Sequence, residues 1–188
     1  PTDVVLCSEG ETFSDAGGTA FLVEGDCSSV SVDVEGIDIT LDATDDPIDQ
    51  GGSGEIVVSM SNPYPVYGLE IHLEDIPESI TAVDVTYGDA IADLDGTLSF
   101  SEVNGELIVL WFSLTGAQLD VDFGNLFTID YHVSDDAADG YTWIEFGDAT
   151  TFSNNMGQAM YWNGTGTGIT LGLPDIFLSL VQTSNTTY

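Results

Sequence analysis

The sequence contains no lysine and no arginine, against 33 aspartates and glutamates in 188 residues, so its formal net charge is −33. Proteins that bind nucleic acid displace counterions from phosphates with lysine and arginine, and anionic membrane surfaces attract the same side chains. A P-loop lysine, an arginine finger and a Schiff-base lysine are impossible for the same reason. We therefore expect no nucleic-acid partner. No apolar run approaches the roughly 18 residues of a membrane helix, so we expect no membrane insertion.

The high charge does not make the chain a disordered acidic tail, because hydrophobic residues make up 43% of it and aromatic residues 10%. Disordered chains combine high net charge with low hydrophobicity, and only the first property is present. A folded globule of this charge repels itself. Salt, or cations bound between carboxylates, can offset that repulsion. We therefore expect calcium as a cofactor and no organic cofactor.

The only two cysteines, Cys7 and Cys27, lie near the N-terminus without a CxxC partner or enough neighbouring ligands for zinc. We interpret them as a disulfide, which implies an oxidising compartment; two unpaired buried thiols are the alternative. Asn163 and Asn185 begin N-glycosylation sequons, in agreement with secretion. We therefore expect an extracellular or cell-surface location.

Period-two alternation of apolar and polar residues predicts an all-β sandwich or barrel, and no segment sustains a helical period. Asn104-Gly105, between two alternating runs, predicts a hairpin with a type I′ turn. The main predicted strands are Val30–Val34, Ile37–Asp42, Ile56–Met60, Leu69–Leu73, Ile80–Tyr87, Gly96–Val103, Glu106–Leu114, Leu126–Val133, Tyr141–Phe146 and Gly168–Leu171. The predicted organisation has three parts: a Cys-bracketed segment (1–28), the sandwich (29–172), and a C-terminal strand with its tail (173–188).

From about residue 37 to 172 the order of these features resembles a cohesin domain, a secreted β-sandwich module. The segments that carry the resemblance are Ile37–Asp42, Gly54–Asn62, Val66–Leu73 with the turn Pro77–Ile80, Asn125–Val133 with the acidic turn Asp135–Gly140, Thr142–Phe146, and Gly166–Leu171. The resemblance implies a jelly-roll β-sandwich and a non-enzymatic module that recognises a dockerin. The Cys-bracketed segment and the C-terminal strand fall outside it, and the chain has no dockerin-like calcium repeat of its own.

Carboxylate clusters in three loops are candidate calcium sites, because hard cations prefer several oxygens on a sharply turned backbone. The best candidate is the Asp-x-Asp-Gly loop with Asp89, Asp93 and Asp95. The weaker candidates are Asp42, Asp45, Asp46 and Asp49 in one loop, and Asp135, Asp136 and Asp139 in another. Solvated loop acids of an acidic protein are the alternative interpretation.

Other polar and aromatic residues suggest chemistry less strongly. Carboxylate pairs such as Glu70 and Glu74 could act in glycoside hydrolysis, but arbitrary acid pairs are inevitable here and we predict no enzyme. His72 is interpreted as an exposed or edge-strand histidine, and Trp111 as a core residue. Tyr161 and Trp162, in a predicted loop, are candidates for stacking on a sugar.

The C-terminal apolar run lies beyond the closing strand and predicts one more strand; its residues Ile176, Phe177, Leu178, Leu180 and Val181 form the candidate assembly strand. Such a strand can pair within its own sheet or add to the edge of a neighbour. We therefore expect a filament or surface-layer subunit that assembles head to tail with copies of itself and is stabilised by calcium. The alternative is a binding module, either a cohesin that recognises a dockerin on a secreted partner or a carbohydrate-binding domain.

Overall fold

The computed structural model describes the backbone of residues 2–7, 12–14, 20–22, 27–32, 35–44, 47–121 and 123–172, and side chains in those ranges from residue 35 onward except at 123. The chain divides into two compact units, Pro1–Glu35 and Gly36–Tyr188. Within the ranges just given, no helix has the length and apolar character needed to span a membrane.

The first unit contains two antiparallel strand pairs. Strand β1 (Thr2–Cys7) pairs with β4 (Cys27–Val32), and β2 (Thr12–Ser14) pairs with β3 (Ala20–Leu22). The register of the first pair places Cys7 directly opposite Cys27. Directly opposed residues of antiparallel strands have Cα atoms about 4.5–5.5 Å apart, which lies within the span that a disulfide bridges.

We expect Cys7 and Cys27 to form a disulfide. Closing a loop of about twenty residues stabilises a fold by roughly 3 kcal/mol in the chain-entropy model. Mass spectrometry after alkylation of the denatured, unreduced protein is expected to find no modified cysteine, and two after reduction. Two alkylated cysteines without reduction would show that the thiols are free.

The second unit is a sandwich of two β-sheets, which confirms the predicted all-β class. In spatial order the first sheet contains β14 (Trp162–Thr165), β5 (Ile37–Ala43), β6 (Ser53–Ser61), β11 (Phe123–Val133) and β8 (Ile80–Tyr87). The second contains β15 (Thr167–Leu171), β12 (Gly140–Phe146), β7 (Gly68–Ile76), β10 (Glu106–Phe112) and β9 (Thr97–Val103), and the short β13 (Thr151–Ser153) also pairs with β7. All these pairs are antiparallel except β14 with β5.

The core lies between the two sheets and follows from the alternation in the sequence. In β5, Ile37, Ile39 and Leu41 are buried while the residues between them are exposed. In β10, Leu107, Val109 and Trp111 are buried and the residues between them are half-buried. Burial of about 25 cal/mol per Å² of apolar surface makes this shared interior the main source of stability.

Several local expectations from the sequence are confirmed. Asn104 and Gly105 both have positive φ (55° and 81°), as a type I′ turn between β9 and β10 requires. Trp111 is fully buried. The strands β13 and β14 were missed, because three or four residues are too few for alternation to be read.

Candidate partner-binding face

The outer face of the second sheet carries a cluster of polar side chains in which a histidine lies between carboxylates. Leu107, Val109 and Trp111 of β10 point into the core. Because side chains alternate along a strand, the other residues of β10 point outward: Glu106, Ile108, Leu110 and Phe112. The register then identifies the neighbours that share this face. We call the face formed by the outward residues of β12, β7 and β10 the binding face.

Three glutamates form a row across the binding face. Glu145 of β12 lies opposite Glu74 of β7, and Glu74 lies opposite Glu106 of β10. A Cβ built on Gly147 would lie 3.4 Å from Glu106 Oε1 and 3.5 Å from Glu74 Oε1, so these two carboxylates converge above that glycine. Like charges directly opposite each other destabilise a sheet. The row is therefore a local cost to the fold.

His72 is the one histidine on the binding face, and it is held between two carboxylates. Its Nδ1 lies 2.7 Å from Glu106 Oε1 and its Nε2 lies 2.8 Å from Glu70 Oε1. Its backbone N–H donates to Thr150 Oγ1 at 3.0 Å. Only 7% of the residue is exposed, and it lies on β7 in the middle of the sheet, so the interpretation as an exposed or edge-strand histidine was wrong.

The pKa of His72 is raised above the ordinary histidine value of 6.5. Burial lowers the pKa, but the hydrogen bonds to Glu70 and Glu106 and the negative charges of these two residues outweigh that effect. When His72 is protonated, its positive charge in the middle of the face offsets part of the carboxylate repulsion.

We expect His72 to make the stability of the protein depend on pH. A histidine whose pKa is higher in the folded state stabilises the fold fully below the unfolded value of about 6.5, and this contribution is lost as the pH rises through the folded pKa. The difference in melting temperature between wild type and His72→Gln should therefore be largest near pH 6 and shrink at higher pH. Glu106→Gln should weaken the same dependence, and a pH-independent difference would contradict this assignment.

Apolar side chains flank the charged centre of the binding face on both sides. Ile108 and Leu110 of β10 are half-buried, and Ile108 lies opposite His72. On the other side Trp143 of β12 lies opposite Ile76 of β7, and both are substantially exposed. Tyr141 stacks on Trp143 with ring centroids 6.3 Å apart. Apolar patches beside charged groups are typical of protein-binding surfaces.

The predicted calcium ligands that the structure describes are exposed, and they do not converge on one point. Within the described ranges, no group of three or more His, Cys, Asp or Glu side chains is placed to hold a metal ion. Asp42 and Asp49 are exposed, and Asp45 and Asp46 lie outside the described residues. In the turn 134–140, Asp136 accepts a hydrogen bond from Ser134 Oγ and Asp139 accepts one from Gln50 Nε2. Calcium binding stays a prediction.

Of the two aromatic residues proposed for sugar stacking, Trp162 is partly buried against the core and Tyr161 lies on the surface. Trp162 lies in β14, not in a loop, and packs edge-on against Phe146 with ring centroids 5.7 Å apart. Tyr161 is exposed, and its hydroxyl donates to Asn163 Oδ1 at 3.0 Å. Asn163 itself is exposed, as glycosylation requires. Asn185 and the candidate assembly strand lie outside the described residues.

The residues of the binding face were largely missed from the sequence. The alternation of Glu70, His72 and Glu74 showed that they share one face. Glu106 lies 32 residues after Glu74 in the sequence, and Glu145 lies 71 residues after it. Only the pairing of β7 with β10 and β12 brings the three glutamates together. Alternation along β10 could have identified Ile108 and Leu110 as outward residues, but it could not identify the residues of β7 that lie beside them.

The two-sheet sandwich with a charged and apolar outer face defines a β-sandwich interaction module. A family model described as the cohesin domain matches residues 37–168, and the chain belongs to this family. Cohesin domains are protein–protein interaction modules and not catalysts, which agrees with the expectation of a non-enzymatic role. Among proteins with curated descriptions, none matches the sequence significantly.

Solved structures with the same fold are cohesins at low sequence identity. A type I cohesin–dockerin complex from Clostridium thermocellum matches with a TM-score of 0.58 and 19% identity over 72% of this chain and 99% of that chain. A non-cellulosomal cohesin from the archaeon Archaeoglobus fulgidus matches with 0.57 and 13% over 73% and 92%. A cohesin module of a family 33 glycoside hydrolase from Clostridium perfringens matches with 0.58 and 14% over 73% and 98%. These matches show the shared fold.

Proposed function

We propose that this chain is an extracellular, non-enzymatic module that holds a second protein against the binding face. The observation that carries the proposal is the row Glu145, Glu74 and Glu106, in register on three neighbouring strands and flanked on both sides by accessible apolar side chains. Opposed like charges reduce the stability of the free domain. A partner that brings positive charge to this row converts the repulsion into binding free energy, and the apolar side chains beside the row supply area to bury.

A dockerin-bearing protein is the first class of partner to test. Some of the structural relatives are described as cohesins in complex with dockerins, including the complex from Clostridium thermocellum. The carboxylate row adds a requirement of its own, because a partner that fits this chain must present lysine or arginine beside an apolar patch.

The test is binding of the full chain to a panel of dockerins, measured by calorimetry. Leu110 lies on the binding face, whereas Leu114 follows β10 and is 90% exposed. Leu110→Asp is expected to weaken binding by about thirtyfold, the scale of an interface hot spot, while Leu114→Asp changes it less than twofold. Melting curves of both variants establish that each is folded. Equal losses for the two variants, or no dockerin bound by wild type, would refute the proposal.

Self-assembly by strand addition is a second candidate function, favoured by the edge of β9, which among the described strands pairs only with β10. The N–H of Leu98 donates to the hydroxyl of Tyr87, away from β10, so by alternation Phe100 and Glu102 direct their backbone groups to the same open edge. In this proposal residues 176–181 of one copy pair with such an edge of the next, which forms a filament or surface layer. Calcium between the acidic subunits lowers their repulsion.

We expect a chain that ends at Leu173 to stay folded but to lose any assembly that the full chain forms. Sedimentation with calcium and with chelator measures both parts of this idea. Chelation should loosen the polymer and lower the melting temperature. If the shortened chain assembles as well as the full chain, the strand-addition part is wrong; if the chelator has no effect, the calcium part is wrong.

A further inference from the structure

A cavity of about 550 Å³ opens at one end of the sandwich, and none of its lining residues belongs to the binding face. Its volume lies within the range of about 300–1,000 Å³ that is typical of small-ligand sites. Its apolar wall consists of Ala90 and Leu94, which are half-buried, and of Met60, Leu119 and Leu126, which are at most 3% exposed.

The wall of this cavity is fixed to the sheet by backbone hydrogen bonds. In the turn after β8, the N–H of Gly88 donates to the carbonyl of Leu126 at 2.8 Å, and the N–H of Ala90 donates to that of Asn125 at 2.9 Å. The next residue, Ile91, is fully buried and anchors the turn. A cavity held in this way exists before a ligand arrives, which lowers the entropy that binding must overcome.

The polar groups of the cavity wall include two carboxylates and a free amide oxygen. Asp89 and Asp120 each contribute a carboxylate, and Gln118 Nε2 donates to Asp120 Oδ1 at 2.7 Å. Asn62 is only 4% exposed. Its Nδ2 donates to the carbonyls of Tyr64 (2.9 Å) and Asp120 (3.0 Å), whereas its Oδ1 accepts no hydrogen bond from the described residues. Asn62 lines the cavity, and this oxygen is available to accept a hydrogen bond from a ligand.

We propose that this cavity binds an organic cation, an alkylguanidinium or alkylammonium group. The cationic head meets the carboxylates of Asp89 and Asp120 and donates to Asn62 Oδ1, while the alkyl stem packs on the apolar wall. The chain has no lysine or arginine, so the cation must come from outside. It is either a free small molecule or the side chain of a basic peptide, and the chemistry of recognition is the same.

Other ligand classes fit the cavity less well. An anion would meet two carboxylates, and a neutral ligand would leave both without a counter-charge. An inorganic ion would fill a small part of the volume, and in the described part of the chain no three acidic or histidine side chains converge as its ligands. An organic cation uses both the charge and the apolar wall.

The test is an NMR titration of the full-length, ¹⁵N-labelled chain with butylguanidinium, with neutral butylurea as the ligand of matched shape. Asp89→Asn and Asp120→Asn each remove one charge from the cavity. Asp93→Asn removes one charge from the same turn outside the cavity lining and is the matched control. A basic tetrapeptide containing one arginine distinguishes the two sources, since it binds more tightly than butylguanidinium only if the natural ligand is a protein side chain.

We expect butylguanidinium to shift the amide signals of residues 88–90 and 118–120, and butylurea to shift none of them. Each cavity variant should weaken binding about fivefold at low salt, the scale of a partly exposed ion pair, and the control less than twofold. Equal binding of butylurea, an equal loss in Asp93→Asn, or shifts caused by calcium and not by butylguanidinium would overturn the proposal.

Discussion

Replacing Trp111 by alanine is expected to lower the free energy of unfolding by about 4 kcal/mol, the usual cost of deleting a buried tryptophan. Trp111 is fully buried on β10, and a Cβ at Gly96 would lie 2.5 Å from its Nε1, so the indole is closely packed. For a domain of this size the loss corresponds to a fall of about 10–15 °C in melting temperature. Differential scanning calorimetry measures it directly.

Two further variants compare this loss with the loss at an exposed tryptophan and with the effect of the indole N–H. Trp143→Ala removes the same side chain from a position that is 39% exposed, so we expect a loss of about 1 kcal/mol. The buried Nε1 of Trp111 has no hydrogen-bond partner among the described residues. Trp111→Phe deletes this unsatisfied donor and should cost far less than the alanine variant. A larger loss for Trp143→Ala than for Trp111→Ala would contradict the assigned core.

The double variant Glu74→Gln with Glu145→Gln is expected to raise stability and at the same time to weaken partner binding. Removing two neighbouring charges from the carboxylate row relieves cross-strand repulsion, and with screening by solvent the gain is about 1 kcal/mol. The same change removes the charge that we propose attracts a basic partner, so the dissociation constant should rise about tenfold at low salt. Calorimetry measures both quantities, and added salt should reduce the difference in binding.

The matched control is Glu55→Gln with Asp130→Asn, an opposed acidic pair on β6 and β11 of the other sheet. Asp130 also lies opposite Asp84 of β8, so this variant removes two charges from a row of three acids and relieves two repulsions, as the first double variant does. It should therefore gain stability but bind the partner as wild type does. A loss of binding in both double variants would mean that net charge, and not the carboxylate row, attracts the partner.

The sequence by itself determined the fold class and the inward positions of most strands. Alternation of apolar and polar residues is a local property, because successive side chains of a strand point to opposite faces. The alternation in Ile37–Ala43 and Glu106–Phe112 therefore translated directly into buried and exposed positions. The turn at Asn104-Gly105 was equally local. Short strands and the bulge that buries both Leu126 and Phe127 break the alternation and could not be read in this way.

Only the tertiary structure decided which side chains meet. His72 lies between Glu70, two positions away, and Glu106, which belongs to another strand. Asp89 and Asp120 line one cavity although thirty positions separate them, whereas Asp93 and Asp95, much nearer in sequence to Asp89, do not line it. The physical reason is that alternation fixes the face of each residue but not its cross-strand neighbour. Strand order and register fix that neighbour, and both depend on how the two sheets close over one core.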